Sequence, residues 1–337
     1  MSLSPVLENL PILILTPHNR CNCRCVMCDI WKNTDAREMS AEDLERHVSS
    51  IERLGVEWAV FTGGEPLMHS DLFRLCDILR RRGIRVTVLS SGLLLDRNAA
   101  AIVASVDDVI VSLDGPPEVH DRIRGIPTAF QRLEAGVRTI QKIKPDFPIS
   151  ARCTIQRSNC SDLRATVAAA RRLGLTDISF LGADVTSTAF NRPLGWTAER
   201  EAGVALTDMD LVLLEAEIEL MILDCEKAGD GFVSETPQKL RRIASRFRGA
   251  LSRNNDGCAA PICNAPWVSA VVEANGSVRP CFFHPPIGQV DSSTTLLDVL
   301  NGSRAVAFRA ALDVDSNPVC RRCVCSLNWQ PPSTTAK

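Results

Sequence analysis

Cysteine is the residue type whose number and spacing most clearly indicate chemistry in this sequence. Of the 14 cysteines in 337 residues, ten fall into two groups, one near each end of the chain. The chain shows no secretion signal, and clustered cysteines in such a chain bind metals or react more often than they form disulfides. The two groups are Cys21, Cys23, Cys25 and Cys28, and then Cys258, Cys263, Cys281, Cys320, Cys323 and Cys325. The remaining four, which we expect to be buried apolar thiols, are Cys76, Cys153, Cys160 and Cys225.

Three cysteines of the N-terminal group follow the spacing C-x3-C-x2-C, directly after a predicted strand. They are Cys21, Cys25 and Cys28. Three soft thiolates on one short loop suit an iron–sulfur cluster or a zinc ion. A [4Fe–4S] cluster that is held by three thiolates keeps one iron open to an exogenous molecule. The alternative is a zinc knuckle whose fourth ligand comes from elsewhere, for example from Cys23.

The C-terminal group contains two ligand pairs. Cys263 and Cys281 lie in the pattern C-x12-G-x4-C, and Cys320 and Cys323 form C-x2-C. The first pair spans a predicted hairpin, with strands at 268–273 and 277–280 and a favoured Asn-Gly turn at residues 275–276. Four thiolates from two such pairs form a tetrahedral site, which zinc and a [4Fe–4S] cluster fit about equally well.

A second motif, Gly63-Gly64-Glu65-Pro66, follows another predicted strand. The two glycines allow a ligand to approach the backbone closely, and Glu65 offers a carboxylate to a cationic group. Alone, the motif is also consistent with an ordinary tight turn between a strand and a helix. Because the carboxyl ends of parallel strands meet at one edge of a sheet, we expect this motif and the first cysteine group to lie together there.

Apolar runs alternate with amphipathic stretches over residues 11–183 and predict an α/β fold. Strands are predicted at 11–16, 57–62, 84–90, 107–114, 148–155 and 176–182, and helices at 41–54, 69–82, 96–104, 128–143 and 161–173. Predicted helix N-caps are Ser40 and Ser161, and predicted stops are Gly55, Gly83 and Gly174. Strands that are separated by single helices indicate a parallel sheet, either doubly wound or a partial barrel.

After residue 183 the regular alternation of predicted strands and helices ends. A polar stretch at 183–206 precedes two predicted helices, at 207–228 and 236–251, and a short segment rich in Cys, Pro and Gly follows. Such a segment builds little core by itself, so we expect a bound metal to stabilise it. We therefore predict a core at 11–183, a helical region at 184–254 that closes the substrate side, and a small Cys-rich domain at 255–330.

Composition and charge exclude several classes of protein. The formal net charge is −2, which gives no electrostatic footprint for nucleic acid and no polybasic signal for a membrane surface. No stretch approaches the ~20 apolar residues that a membrane-spanning helix needs. We expect a cytoplasmic protein without nucleic-acid or membrane partners.

The C-x3-C-x2-C spacing followed by GGEP resembles the radical S-adenosylmethionine (SAM) superfamily over residues 11–183. The resemblance implies a partial (β/α)6 barrel in which Cys21, Cys25 and Cys28 ligate a [4Fe–4S] cluster whose open iron chelates SAM. It also implies that the SAM amino group is contacted by Gly63, Gly64 and Glu65. Met27 stands where this superfamily usually has an aromatic residue near the adenine, and a polarizable thioether is a plausible substitute there.

Other residues at the strand ends are weaker candidates. In similar enzymes the ends of the third and fourth strands touch the SAM ribose or carboxylate, which implies roles for Ser91 and Ser112. Arg152 suits the SAM carboxylate because a guanidinium binds carboxylates in a bidentate way, and a structural ion pair is its alternative. We expect a solvated face or local salt bridges from His120, Asp121 and Arg124.

The C-terminal pattern resembles the auxiliary-cluster extensions of radical SAM enzymes, which are called twitch in the short form and SPASM in the long form. Its spacing is most similar to that of the twitch-containing aminocyclitol dehydrogenases. This implies one auxiliary [4Fe–4S] cluster, with Cys258 or Cys325 as an alternative to one of the four ligands. Those ligands are Cys263, Cys281, Cys320 and Cys323. His284 is expected to hydrogen-bond near this cluster.

The resemblance also implies a reaction. One electron from an external donor such as flavodoxin or ferredoxin cleaves SAM to a 5′-deoxyadenosyl radical, which abstracts hydrogen from a substrate. An auxiliary cluster with four cysteine ligands has no open iron but accepts an electron, which favours a net oxidation such as dehydrogenation. If the substrate is an alcohol, a base must remove the hydroxyl proton, and we predict Asp184 for this role, with a loop-capping role as its alternative. Asn191 and Arg192 are candidate substrate contacts.

The substrate class is the least determined expectation. Only twenty residues precede Cys21, so we expect no N-terminal leader-binding domain, which favours a small molecule such as a sugar, a cyclitol or a tetrapyrrole-like metabolite. One alternative is maturation or cross-linking of a ribosomal peptide or protein by the same chemistry. Another is a non-catalytic metal-binding or electron-transfer protein, for which the GGEP motif has no use.

Overall fold

Strands and helices alternate regularly over the first half of the chain in the computed structural model, which describes residues 4–35, 37–251 and 261–331. The strands are β1 Ile12–Thr16, β2 Trp58–Phe61, β3 Arg85–Ser90, β4 Asp108–Ser112, β5 Ile149–Ile155, β6 Ile178–Gly182, β7 Ser269–Glu273, β8 Ser277–Arg279 and β9 Gly288–Gln289. All six predicted core strands are present, with ends within two residues of the predicted ones.

In chain order the helices are α1 Ala41–Arg46, α2 Val48–Arg53, α3 Leu72–Arg80, α4 Leu95–Ser105, α5 Pro117–Arg124, α6 Ala129–Ile143, α7 Leu163–Arg172, α8 Ala198–Ala202, α9 Asp208–Ala228, α10 Pro237–Leu251, α11 Ala265–Val268, α12 Leu296–Asn301, α13 Ser303–Ala311 and α14 Pro318–Arg321. Helices α1 to α7 lie between the strands β1 to β6, and helices α8 to α14 follow β6. The predicted helix at 41–54 is divided in two at His47.

The strand order decides between the two predicted sheet types. The sheet runs β6-β5-β4-β3-β2-β1-β7-β8-β9, and β1 to β6 are parallel neighbours in sequence order. Right-handed crossovers between successive neighbours place every connecting helix on the same face, whereas a doubly wound sheet needs a reversal of strand order. The core is therefore the predicted partial barrel of parallel strands.

The hydrophobic core lies between the sheet and these helices. Val88, Val111 and Ala151 on three neighbouring strands are fully buried, as are Leu75 of α3 and Leu133 of α6. Alternate residues of β5 and β6 are only half-buried, so the opposite face of the sheet is less covered. A parallel sheet normally has both faces covered. The half-covered face is thus the natural place for a ligand.

The predicted helix boundaries are mostly present. Ser40 caps α1 through a capping box with Asp43. The predicted cap at Ser161 is wrong by one residue, because α7 begins after Asp162, whose side chain makes no capping hydrogen bond. The predicted stops Gly55, Gly83 and Gly174 all have positive φ, as expected after a helix.

The C-terminal part continues the core sheet. The hairpin predicted to turn at Asn275-Gly276 is present as β7 and β8, and β7 pairs in parallel with β1. The strand pairing therefore crosses the domain boundary that we placed at 254–255, although the division into three parts itself stays a prediction. Cys258 lies outside the described residues.

A side chain at the end of α12 is hydrogen-bonded to the N-terminal segment of the described chain. The Oδ1 atom of Asn301, at the end of α12, accepts from the Leu7 amide at 2.8 Å, and its Nδ2 donates to the Leu7 carbonyl at 2.9 Å. Arg309 of α13 adds a 2.6 Å bond from its Nε to the carbonyl of Pro5. These bonds stabilise the packing of the C-terminal helices on the start of the chain.

In the described part of the chain, no helix is both long enough and apolar enough to cross a bilayer.

Replacing Asn301 by Ala should lower the free energy of unfolding by about 1–3 kcal/mol, because two partly buried backbone groups lose their partners. Chemical denaturation of the purified protein measures this change. Asn328→Ala, at an exposed position, is the control and should have little effect. Equal stabilities of the two variants would contradict the joining role of Asn301.

Candidate functional site

The first cysteine group lies in the loop that follows β1, at the carboxyl edge of the sheet. Cys23 and Cys25 are buried, and Cys21 and Cys28 are half-buried. The Cys23 side chain hydrogen-bonds with those of Cys21 and Cys25, and Met27 and Cys28 pack on the same small apolar cluster. The structure thus brings the three predicted ligands together and places Cys23 among them.

Ionisation of Cys23, Cys25 and Cys28 is disfavoured by their surroundings. The hydrogen bond with Cys21 and burial raise the pKa of Cys23 to about 12, and burial raises that of Cys28 to about 12. The hydrogen bond with Cys23 and burial raise the pKa of Cys25. Among the described residues, no three His, Cys, Asp or Glu side chains already have the geometry of a metal site. The fit of a cluster therefore rests on the donor chemistry, since bound iron supplies the positive charge that buried thiolates need.

The GGEP turn holds this loop through its backbone. The Glu65 amide donates to the carbonyl of Arg20 at 2.9 Å. A Cβ atom added at Gly64 would lie 1.8 Å from the same carbonyl oxygen, so only glycine fits there. His18 completes the contact, since its Nε2 lies 2.6 Å from the Glu65 carbonyl and its Nδ1 accepts from the Arg20 amide. Both predicted motifs therefore meet at one edge of the sheet.

Glu65 is fully buried and joins the ends of β2 and β3. Its carboxylate accepts from Ser90 Oγ at 2.8 Å and from the Ser91 amide at 2.6 Å, with further bonds from Ser91 Oγ and the Leu67 amide. Burial raises its pKa, which these hydrogen bonds oppose. The predicted contacts of Gly63, Gly64, Glu65 and Ser91 with SAM stay predictions, but the structure places all four at the same edge.

A polar row crosses the half-covered face of the sheet. In the strand register Ser112 pairs with Arg152, and Arg152 pairs with Ser179, so the three side chains share one face. The Nε of Arg152 donates to Ser179 Oγ at 3.2 Å, and within the described residues Arg152 forms no ion pair. Arg152 also interacts electrostatically with the buried carboxylate of Glu235, so its ligand role and its structural alternative both stay predictions.

The turn from β4 into α5 is buried, which corrects one expectation. His120 is fully buried and Arg124 is 8% exposed, so the predicted solvated face is wrong. The local salt bridge is present, because Arg124 Nη2 lies 2.5 Å from Asp114 Oδ2. Burial lowers the pKa of His120 to about 3, and its Nδ1 accepts from the Asp114 amide. Asp121 accepts from the amide of Thr128, just before α6, and from the amide of Phe130 in the first turn of α6.

Asp184 and Arg192 form a buried pair that organises the loop after β6. Arg192 Nη2 lies 2.6 Å from Asp184 Oδ2, and Ser187 Oγ also donates to this carboxylate. The other nitrogens of Arg192 donate to the carbonyls of Asp184 and Ala189. These contacts favour the loop-capping alternative for Asp184. Its role as a base stays a prediction.

The same loop lies over the first cysteine group. Asn191 Nδ2 donates to the Asp29 carbonyl at 3.0 Å, and Trp196 Nε1 donates to the Asp29 carboxylate at 2.5 Å. Asn191 therefore braces the loop against the residue that follows Cys28. On the other side, the rings of Phe190 and Phe283 meet edge to face at 6.1 Å. The loop thus contacts the segments that carry both cysteine groups.

The second cysteine group also converges. The pKa of Cys281 and that of Cys320 are raised by burial and by neighbouring cysteines, to about 12 for Cys320. Cys263 is among those neighbours for both, and the Cys323 amide donates to the Cys320 carbonyl at 3.0 Å. Asn317 caps α14 and accepts from the Cys320 amide, which orients that residue. The four predicted auxiliary ligands are therefore close to one another.

Two neighbours of this group were expected from the sequence. His284 is buried, and its Nε2 lies 3.4 Å from Cys320 Sγ, as a hydrogen bond near the cluster requires. The Cys325 amide donates to Cys323 Sγ at 3.3 Å, so Cys325 remains an alternative ligand. Cys258 cannot be placed, since it lies outside the described residues.

Comparison with known proteins agrees with both halves of this site. Residues 15–155 match the radical SAM superfamily, and residues 263–324 match the SPASM iron–sulfur cluster-binding domain. The chain carries a radical SAM domain followed by a SPASM domain. The radical SAM domain implies a [4Fe–4S] cluster and SAM, and the SPASM domain implies auxiliary iron–sulfur binding, so the predicted cofactors are confirmed. The identity of their ligands stays a prediction.

Known relatives resemble this chain over a little less than half of its length. The AdoMet-dependent heme synthase of Methanosarcina barkeri is 30% identical over 159 residues, which are 46% of this chain and 45% of that protein. The mycofactocin maturase MftC of Mycolicibacterium smegmatis is 30% identical over 164 residues, 46% of this chain and 40% of that protein. The chain therefore spans less than half the length of these curated relatives.

Solved structures share the fold over most of the chain. Streptococcus suis SuiB bound to the precursor peptide SuiA is 14% identical to this chain, with a TM-score of 0.67. The match covers 95% of this chain and 72% of the SuiB chain. At this identity the likeness shows the fold. The predicted closeness to the twitch-containing dehydrogenases is not confirmed, because the C-terminal match is to SPASM.

Sequence reasoning missed several residues of the site. His18 is a single histidine with no distinguishing pattern, and its role depends on the two loops that it joins. Ser179 follows the same alternation of polar residues as Arg152, and this signal was available in the predicted strand. A local salt bridge was one of the expectations for Arg124, but its partner Asp114 was not identified. The two residues are ten positions apart, and the turn between them brings their side chains into contact.

Gly64→Ala should displace residues 18–21, because the added methyl group would overlap the Arg20 carbonyl. We expect less iron at the first site and a fall of about a hundredfold in SAM cleavage, since displacements of 1 Å have effects of that size. Iron analysis and 5′-deoxyadenosine formation measure these changes. Gly203→Ala, where a Cβ meets no atom closer than 3.5 Å, is the control. Full iron and activity in Gly64→Ala would contradict the fit.

Proposed function

We propose that this protein is a radical SAM oxidoreductase that performs a net oxidation of its substrate, such as a dehydrogenation, and passes an electron to an auxiliary [4Fe–4S] cluster. The observation that carries the proposal is the presence of two separate thiol groups, each gathered by the fold, with the loop at 184–200 in contact with the segments that carry both. When bound, the first cluster and SAM supply a 5′-deoxyadenosyl radical that abstracts hydrogen.

The protein's own residues orient and enclose the reacting groups. Cys21, Cys25 and Cys28 would hold the first cluster, and the GGEP edge would hold the amino group of SAM. Arg152, in the polar row of the half-covered face, would bind the SAM carboxylate, for which a guanidinium fork is well suited. The buried Asp184–Arg192 pair stiffens the covering loop, which helps to exclude water from the site.

The auxiliary site is suited to electron transfer. Cys263, Cys281, Cys320 and Cys323 would satisfy all four irons of a cluster, so no iron remains to bind substrate. A cluster held by these four thiolates would supply an acceptor for the electron that a substrate radical loses when it becomes a closed-shell product. The external donor of the first electron would be a flavodoxin or a ferredoxin.

For the substrate we propose a small molecule, with a tetrapyrrole-like compound among the classes to test. This is supported by the similarity of nearly half of the chain to a heme synthase. A peptide is the second candidate, supported by the similarity to a mycofactocin maturase and by a fold shared with SuiB, whose structure holds a precursor peptide.

Two sets of cysteine variants should separate the two clusters. Replacing Cys21, Cys25 and Cys28 together by Ala should abolish SAM cleavage and leave about half of the iron, since one of two such clusters is lost. Replacing Cys320 and Cys323 by Ala should leave SAM cleavage largely intact but block product formation. Iron analysis and 5′-deoxyadenosine assays after anaerobic reconstitution give the readout. Cys225→Ala, in α9 and outside both groups, is the matched control.

Three results of these assays would contradict the proposal. Loss of all iron in the first variant would argue against two independent sites. Equal loss of SAM cleavage and of product in the second variant would argue against an electron-acceptor role. Zinc in place of iron, with no cleavage of SAM, would indicate a binding module without catalysis.

Deuterium transfer can distinguish the two substrate classes. Extract from cells of the source organism grown in deuterated medium is divided into a low-mass filtrate and a retained fraction. SAM and 5′-deoxyadenosine of the cells are removed from both fractions, and each is incubated with the enzyme, unlabelled SAM and dithionite. Deuterium in 5′-deoxyadenosine from the filtrate alone, insensitive to protease, supports a small molecule. A signal that protease abolishes supports a peptide.

A further inference from the structure

The last turn of α5 is the platform on which the first cysteine loop lies. The Arg24 amide donates to the carbonyl of Arg124 at 2.9 Å, and the Val26 amide donates to the carbonyl of Ile123 at 3.0 Å. The final carbonyls of a helix have no donors within the helix, so these bonds satisfy groups that otherwise need water. The loop is therefore attached to α5 on both sides of Cys25.

The Arg124 side chain adds a third attachment. Its guanidinium is buried, with Nη2 2.5 Å from Asp114 Oδ2 and Nη1 3.6 Å from Cys25 Sγ. Its Nε is buried and has no hydrogen-bond partner among the described residues. One planar cation thus lies between the carboxylate at the end of β4 and the sulfur of a predicted cluster ligand.

A purely structural ion pair does not account for this geometry. Removing two charges from water costs free energy that their attraction recovers only when the remaining donors and acceptors are satisfied. The other oxygen of Asp114 accepts from the Thr154 amide at 2.9 Å, but one nitrogen of Arg124 is directed to sulfur and another lacks a partner. The acceptor that suits these two donors is a negatively charged group beside Cys25.

We propose that Arg124 is a positioning residue of the first cluster, which holds Cys25 in ligating position and stabilises the reduced state of the cluster. The inference rests on the proposed function in one respect, namely that Cys25 ligates this cluster. Reduction adds one electron from the external donor and no proton, so the negative charge beside Arg124 grows by one. Cations and N–H donors near the sulfur ligands stabilise the more negative state and raise the reduction potential.

The test is a redox titration with dithionite, followed by electron paramagnetic resonance, on the reconstituted full-length protein. The signal that changes when SAM is added identifies the first cluster. Arg124→Met should shift its midpoint potential to a more negative value and reduce its iron content. Arg122→Met removes the same charge from an exposed position on the same helix and should leave the potential unchanged.

Two further variants show whether Arg124 acts on the cluster or only compensates the buried charge of Asp114. Arg124→Lys keeps the charge but not the planar fork, and should shift the potential by less than Arg124→Met. The double variant Asp114→Asn with Arg124→Met has no uncompensated buried charge, and its potential should remain below that of the wild type. If Arg124→Met does not fold, these two variants decide the question.

Two results would overturn the proposal. One is a wild-type potential in Arg124→Met, and the other is a return to the wild-type potential in the double variant, since a structural pair is equally well replaced by two neutral residues. A wild-type protein without any SAM-sensitive cluster signal would instead contradict the proposed function, and with it the ligand role of Cys25.

Discussion

The close contact between Gly64 and the carbonyl of Arg20 is the constraint on which the first site depends. It joins the loop after β1 to the loop after β2, and no side chain fits between the two backbones. Hydrogen bonds of the Glu65 amide and of the His18 ring then fix the position of one loop relative to the other. Because the two strands are parallel neighbours, this contact places three thiols beside a glycine-lined edge, and the rest of the site is arranged around it.

Buried carboxylates recur at the ends of alternate strands. Glu65 follows β2, Asp114 follows β4 and Asp184 follows β6, and each is at most 7% exposed. A buried carboxylate is stable only where donors surround it, so each one draws a different segment towards the edge of the sheet. Glu65 binds the end of β3, Asp114 binds α5 and β5, and Asp184 binds the covering loop. The result is a rigid rim, as the proposed radical chemistry requires.

The two cysteine groups share one sheet. β1 pairs on one side with β2 and on the other with β7, so the loop of the first group and the hairpin that leads to Cys281 start from adjacent strands. Arg246 of α10 adds a second connection, because its guanidinium donates to the carbonyls of Arg322 and Ala183. A short Cys-rich segment with little core of its own is thereby supported by the main sheet as well as by its metal.

Periodicity and spacing in the sequence were sufficient for the six core strands, most of the helices, the two cysteine groups and the GGEP turn, because all of these are local patterns. Periodicity left the sheet type open, and the resemblance of the motifs predicted the partial barrel. The pairing of β7 with β1 and the contacts of Arg124 and Arg192 were decided only by the tertiary structure. A charged residue on a short helix has the same local sequence whether it faces water or a buried carboxylate. Which of the two it meets depends on segments that are distant in the chain, and their positions are set by the packing of the whole sheet.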